Sequence, residues 1–104
     1  MIRKAFVMSL YPGREAEYKL RHSPIWPELE ELLKSHGVHN YSIFLDLQSH
    51  CLFAYAEIEE QAQWDALAQT ECCRRWWRSL EDIMPSREDG SPVSTPLQEV
   101  FHLD

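Results

Sequence analysis

Glycine is scarce in this chain, with three residues in 104. A loop that cradles phosphates needs several in close order and none exists here, so no bound nucleotide is expected. Positive charge is also short: ten Lys and Arg stand against seventeen Asp and Glu, for a formal net charge of −7. Nucleic acids and anionic membranes are bound through clustered basic side chains. The only basic cluster, Arg74, Arg75 and Arg78, is interspersed with tryptophans and acids on one predicted helix, where a solvated face accounts for it. No apolar run approaches the length of a membrane span. The opening segment, Met1 to Leu10, carries two basic residues but lacks a small-residue cleavage site, so a strand is expected there rather than a leader. Cysteine occurs three times, as Cys51, Cys72 and Cys73, an odd number without paired C-x-x-C spacing. Free thiols in a reducing cytoplasm are the simplest account. Neither repeats nor low-complexity stretches divide the chain, and its length suits one modest core, so residues 1–104 are expected to form a single domain.

What the chain does have is a clear succession of periodic segments. Ile2 to Leu10 alternates with both faces largely apolar, and Tyr11-Pro-Gly13 ends that strand. A helix from Arg14, with Glu15 and Glu17 in its first turns, is stopped by Pro24 and Pro27. The next starts at Pro27, carries acids at its positive end and a stripe of Ile25, Leu29, Leu32 and Leu33, and leaves through Gly37. Val38 to Leu47 and Cys51 to Ile58 read as a hairpin around a turn at 46–50. Glu59 to Gln69 is helical, Thr70 then caps a helix running through Trp76, Trp77, Leu80 and Met84, and 86–96 is a loop. Leu97 to Leu103 is expected to close the chain as a strand. This order predicts an α+β fold, a ferredoxin-like βαββαβ antiparallel sheet with helices on one face. Cys51, Phe53 and Tyr55 make the other face of the second hairpin strand apolar too, and with too few helices to cover both sides a homodimer is expected.

The stretch with most chemical content is Tyr18 to Pro27. Tyr18 and His22 are four residues apart and share a helix face. Pro24 disfavours helical backbone at Ser23, which leaves His22 in the last turn, where unpaired carbonyls favour a cation and an imidazole tends to hold its proton. A phenol and an imidazole so placed can hold a hydroxylated ligand and move a proton to it. A capping or surface role for His22 is the plainer alternative. Trp76 and Trp77 point about 100° apart on a helix, so one belongs to the core and the other either covers a helix junction or lines a cavity. Tyr41, sharing parity with Ile43 and Leu45, is either a core aromatic or a cavity hydroxyl. His36 and His39 straddle a helix exit and do not share a face, and neither His50 nor His102 has a ligand-spaced partner, so no metal site is expected. Cofactor-free chemistry remains.

Five segments together carry a resemblance to a known family: Met1-Ile-Arg-Lys-Ala-Phe-Val-Met, Arg21-His22-Ser-Pro-Ile-Trp-Pro-Glu-Leu, His36-Gly with His39-Asn-Tyr41, Arg75-Trp76-Trp77, and Ser91-Pro-Val-Ser followed by Leu97-Gln-Glu-Val-Phe. Over essentially its whole length the chain resembles the L-rhamnose mutarotases, small cytoplasmic epimerases acting at the anomeric carbon. The resemblance implies a dimeric α+β barrel in which two ferredoxin-like sheets face each other. It also implies His22 as proton donor, sugar contacts at Tyr18, Tyr41, Trp76 and Trp77, and interconversion of α- and β-L-rhamnopyranose through an open-chain aldehyde; the partner base is left unidentified, with water and a tyrosine as the candidates. The same barrel supports cofactor-free monooxygenases, and a non-catalytic sugar-binding dimer is a further alternative.

Overall fold

Alternating apolar residues draw four strands into one sheet, which short amphipathic helices cover on a single side. The computed structural model describes residues 1–104, and its elements in chain order are β1 (Ile2–Ser9), α1 (Glu15–Arg21), α2 (Pro27–Ser35), β2 (Val38–Asp46), β3 (Cys51–Ile58), α3 (Gln61–Ala66), a 3₁₀ turn (Leu67–Gln69), α4 (Glu71–Leu80) and β4 (Thr95–Leu97). Every pairing is antiparallel and the strand order is β2-β3-β1-β4, the ferredoxin-like arrangement expected from the element order.

The central strand explains where the core sits. Along β3, Leu52, Ala54, Ala56 and Ile58 are all at most 2% exposed and face the helices. Register places Met8 opposite Leu52 and Phe6 opposite Ala54 on one side, with Leu45 and Ile43 on the other, so one apolar layer runs across three strands. Against it pack Tyr18 of α1, Leu29 of α2 and Cys72, Trp76 and Leu80 of α4. Thr70 starts α4 by accepting from the Cys73 amide at 3.3 Å. Gly37 closes α2 at φ +76°, and a Cβ there would sit 3.0 Å from Glu59 and Gln63 side-chain atoms, so any other residue would be strained in that turn.

The opposite sheet face carries no helix. Phe44 and Phe53 sit directly opposite each other across β2 and β3 and are 68% and 42% exposed. Val7 continues the row on β1. A row of apolar side chains in water is unfavourable, as anticipated from the two-sided pattern of β3.

The structure departs furthest from the sequence expectation at two boundaries. α4 ends at Leu80 rather than Met84, because the chain turns at Glu81 to bury Ile83 and Met84, which are 0% and 1% exposed, beneath the sheet-facing layer. The last strand is Thr95–Leu97, not Leu97–Leu103. It pairs with β1 only across Ala5–Val7, and beyond it contact passes to side chains, with the Arg3 guanidinium donating to Glu99 at 2.6 and 3.1 Å. Val100, Phe101 and Leu103 lie 79–90% exposed, so further pairing would bury nothing within one copy of the chain.

Candidate active site

α1 is only seven residues long and ends where the downstream prolines forbid another turn. His22 is its C-cap residue, one position beyond the last helical turn. From there the imidazole folds back along the helix, and Nδ1 lies 2.7 Å from the backbone carbonyl oxygen of Tyr18. A carbonyl can only accept, so Nδ1–H donates and Nε2 is the nitrogen left for chemistry. The Tyr18 ring lies beside the imidazole at 4.1 Å between centroids and 31° between planes, while the Trp76 indole meets it edge-on at 5.0 Å and 81°.

The protonation of His22 departs from what its helix position alone implies. Its bond to the Tyr18 carbonyl favours the imidazolium, but burial is the larger influence and works against it, so the pKa falls below the ordinary value. Desolvation also pushes the Tyr18 phenol far above its usual range. Tyr18 is 8% exposed, no protein group pairs with its hydroxyl, and the only fully buried side-chain nitrogen or oxygen without a partner is Nε of Arg75. The Tyr18 hydroxyl therefore retains contact with open space.

Tyr41 reaches the same place from β2. Between His39 and Ser42 the β2–β3 register slips by one residue, so Asn40 and Tyr41 together oppose Ala56. Asn40 takes φ +47°, a conformation asparagine tolerates, and its amide donates to Glu57 at 2.9 Å. The bulge lets Val38 and Tyr41 both face the helices, which unbroken alternation forbids. Tyr41 keeps 37% of its surface accessible, as a residue lining an open cavity does, yet Phe6 and Trp64 flank its ring at 6.5 and 6.1 Å. This apolar surround pushes its phenol well above the ordinary range as well.

All five residues singled out in the sequence come together. Tyr18, His22, Tyr41, Trp76 and Trp77 line one cavity of about 480 Å³, and all but Trp77 also line an adjoining one of about 660 Å³. Trp76 is buried and Trp77 half-buried, and both face the first cavity, so the choice between core and cavity resolves as both. Sequence reasoning missed Phe6 and Trp64, which complete the aromatic wall around Tyr41, and Trp26, whose indole stands edge-on to Trp76 at 5.1 Å. It missed Lys4, Asp65, Arg87 and Asp89 on the walls of the first cavity too. No local spacing signals these, since they come from segments far apart in the chain.

The other titratable candidates are engaged elsewhere. His36 Nδ1 lies 3.0 Å from the Leu32 carbonyl oxygen, His39 pairs with Glu59 at 2.7 Å, and His50 pairs with Glu15 at 2.7 Å. No three His, Cys, Asp or Glu side chains are grouped so as to hold a metal ion. Cys72 and Cys73 are buried, and burial pushes the Cys73 thiol up to about 11. The arrangement thus offers one free imidazole nitrogen, two protonated phenols and two indoles around a largely apolar space, suited to a small hydroxylated molecule with an apolar face.

Comparison with known proteins agrees with that chemistry. The family model described as L-rhamnose mutarotase matches residues 3–103. The chain is 59% identical to the L-rhamnose mutarotase of Pectobacterium carotovorum subsp. carotovorum (strain PC1) and 62% identical to that of Opitutus terrae, each over 104 residues and the full length of both chains. The crystal structure of an L-rhamnose mutarotase from Formosa agariphila superposes over the whole of both chains with a TM-score of 0.92 at 43% identity. On these grounds the chain belongs to the L-rhamnose mutarotase family.

Proposed function

We propose that this protein interconverts the α and β anomers of L-rhamnopyranose, with His22 as the proton donor and Tyr18, Tyr41, Trp76 and Trp77 as sugar contacts. The observation that carries the reading is the tethering of His22 Nδ1 to the Tyr18 carbonyl, which leaves Nε2 as the free imidazole nitrogen in a cavity walled by phenols and indoles. Family membership names the sugar and the isomerase class.

The step balances as follows. Protonated Nε2 gives its proton to the ring oxygen, the anomeric hydroxyl loses its proton to water, and the bond between the anomeric carbon and the ring oxygen breaks to give the aldehyde. Rotation about the bond from the carbonyl carbon to its neighbour presents the other carbonyl face. The chain hydroxyl then attacks it, returning its proton to Nε2 while water reprotonates the new anomeric oxygen. Because burial keeps both phenols protonated, Tyr18 and Tyr41 donate hydrogen bonds and do not serve as the base. A lowered His22 pKa makes the imidazolium a minority near neutrality but a stronger acid when present. An indole meets the apolar face of the sugar and its methyl group, where burial is favourable.

The protein works as a homodimer of facing sheets in this reading. The exposed Phe44–Phe53 row and the apolar C-terminal residues are surfaces that a second copy would cover. A cytoplasmic location accords with three unpaired cysteines, and no helix is long and apolar enough to cross a membrane. The comparisons do not favour the monooxygenase or non-catalytic alternatives. Saturation-transfer NMR on L-rhamnose tests the proposal: the protein accelerates anomer exchange and His22→Ala loses on the order of a hundredfold or more. Unchanged exchange in the variant removes His22 from the mechanism, and no acceleration by the unmodified protein removes the function.

A further inference from the structure

We propose that Arg21 is a positioning residue that holds His22 against Trp76 by clamping the end of α1 to the end of α4. The inference rests on the reading of His22 as proton donor. The two sides of the imidazole are set by different elements. Tyr18 lies on the same helix, so the short chain between them fixes that contact. Trp76 lies on α4, distant in sequence, and its 5.0 Å edge-on contact with His22 depends on how α1 and α4 are held together.

Arg21, the residue immediately before His22, bridges that gap with both terminal guanidinium nitrogens. Nη1 donates to the Ser79 carbonyl at 2.5 Å and to Asp82 Oδ1 at 2.9 Å, and Nη2 donates to Asp82 Oδ2 at 3.0 Å. Nε donates to Glu17 Oε1 at 2.7 Å, which orients the side chain along its own helix. The fork to Asp82 is bidentate, a geometry that restricts rotation as well as distance, and lysine cannot reproduce it. Ser79 lies in the last turn of α4, one turn beyond Trp76, Asp82 lies just past the helix end, and Ser79 Oγ donates back to the Trp76 carbonyl at 2.6 Å. The clamp therefore ties the backbone beside the imidazole to the backbone beside the indole.

Such a device acts on geometry more than on folding. The Arg21 side chain is 25% exposed and Asp82 63% exposed, and ion pairs this accessible add little to overall stability. A displacement of about 1 Å at a reacting group, in contrast, can lower turnover on the order of a hundredfold. No charged side chain figures among the influences on His22 protonation. The titratable groups that share its cavities are Glu15, Tyr18 and Lys19 from α1, Tyr41 from β2, Lys4 from β1, Asp65 from α3, Cys73 from α4, and Arg87 and Asp89 from the loop after α4. Arg21→Met removes a positive charge and Asp82→Ala a negative one, so a His22 titration that moves the same way in both reports solvent reaching the ring and not a lost charge.

The test uses Arg21→Met, Arg21→Lys, Asp82→Ala, the double variant Arg21→Met with Asp82→Ala, and Glu17→Gln in the full-length protein. Anomer exchange by NMR gives kcat and KM, the His22 ring proton gives a titration curve, and urea midpoints report folding. Arg21→Met, Arg21→Lys and Asp82→Ala are expected to lower kcat about tenfold or more, with KM within about threefold and the His22 titration moved up toward the ordinary histidine value. The double variant is expected to fall no further than Arg21→Met, since both remove one clamp. Glu17→Gln, which touches only the intrahelical arm, leaves kcat and titration within about twofold of the unmodified protein. Unmoved kcat and titration in Arg21→Met or Asp82→Ala overturn the proposal, as does a loss in kcat that follows the urea midpoint while the titration stays put. Should His22→Ala exchange anomers normally, the donor reading falls, and the titration curves still decide whether Arg21 positions the ring.

Discussion

Replacing Tyr18 by phenylalanine separates the phenol's hydroxyl from everything else the residue does. The ring, 8% exposed and stacked at 4.1 Å on the imidazole, remains in place. The tether on His22 Nδ1 also remains, because its acceptor is the Tyr18 backbone carbonyl and not the side chain. Only a hydroxyl without a protein partner disappears. A hydrogen bond between neutral groups is worth about 0.5–1.5 kcal/mol net, so losing one to a sugar oxygen lowers kcat/KM by about two- to twelvefold. Folding stability is expected to change by less than about 1 kcal/mol, since the hydroxyl has no partner in the folded protein and borders open space. Saturation-transfer NMR across a range of rhamnose concentrations gives the first quantity, and urea unfolding followed by tryptophan fluorescence gives the second. A stability loss above about 1 kcal/mol would mean that the hydroxyl is paired within the fold. Full kcat/KM in the variant would mean that it never meets the sugar, and either result refutes the reasoning.

Two further outcomes follow from the same geometry. With protonated His22 as the proposed donor, anomer exchange is expected to decline as pH rises through a pKa below 6.5; a rate that climbs with pH to a plateau in the NMR assay would make the imidazole a base instead. Stability runs the other way. The folded pKa lies below the unfolded one, so at high pH both states are neutral, and as pH falls from 6.5 through the folded value the unfolded chain takes up the proton first and folding weakens. Urea midpoints that drop over this window in the unmodified protein, and drop less in His22→Gln, check it. On the open face of the sheet, Phe53→Asp places a carboxylate opposite Phe44, both residues being exposed within one copy. Light scattering at micromolar concentration is expected to give a dimer for the unmodified protein and half that mass for the variant, and a monomeric mass for the unmodified protein would end the dimer proposal.

How much of this was legible in the sequence depended on the range of the forces involved. The Cys51–Ile58 strand was read residue for residue, because strict alternation ends on both sides at turn-forming residues. Pro27 at the start of α2, Gly37 at its exit and Thr70 before α4 were equally clear, since caps and turns act within a few residues. The Tyr18–His22 pair was visible for the same reason. Its partner Trp76 was a candidate only by type, for nothing in the chain near residue 22 says which of two adjacent indoles will face it. The end of α4 was missed because Ile83 and Met84 continue a helical pattern that a turn at Glu81 in fact breaks to bury them. The last strand was placed late because its pairing is decided by the short free edge of β1, not by its own alternation.

The protonation of His22 illustrates the same division and bears on why the site is built as it is. From sequence, the nearest influence is the helix C-terminus, which favours the cation, and the bond to the Tyr18 carbonyl realises that influence. Burial under Trp76 and Tyr18 comes from the assembled fold and outweighs it. Anomer exchange starts from a neutral sugar and passes to a neutral aldehyde, so the site needs no permanent counter-charge beside the reacting oxygen. A fixed carboxylate there would hold the imidazole charged and weaken it as a donor. Phenols kept protonated by the same burial can orient hydroxyls without competing for the transferred proton. Two arginines brace the elements around His22: Arg75 donates to Glu28 at 2.8 Å and lies 5.7 Å from the Trp26 ring, which in turn supports Trp76. Arg75 and Arg21 thus secure α4 to α2 and to α1 through ion pairs that leave His22 protonation to burial and a single carbonyl.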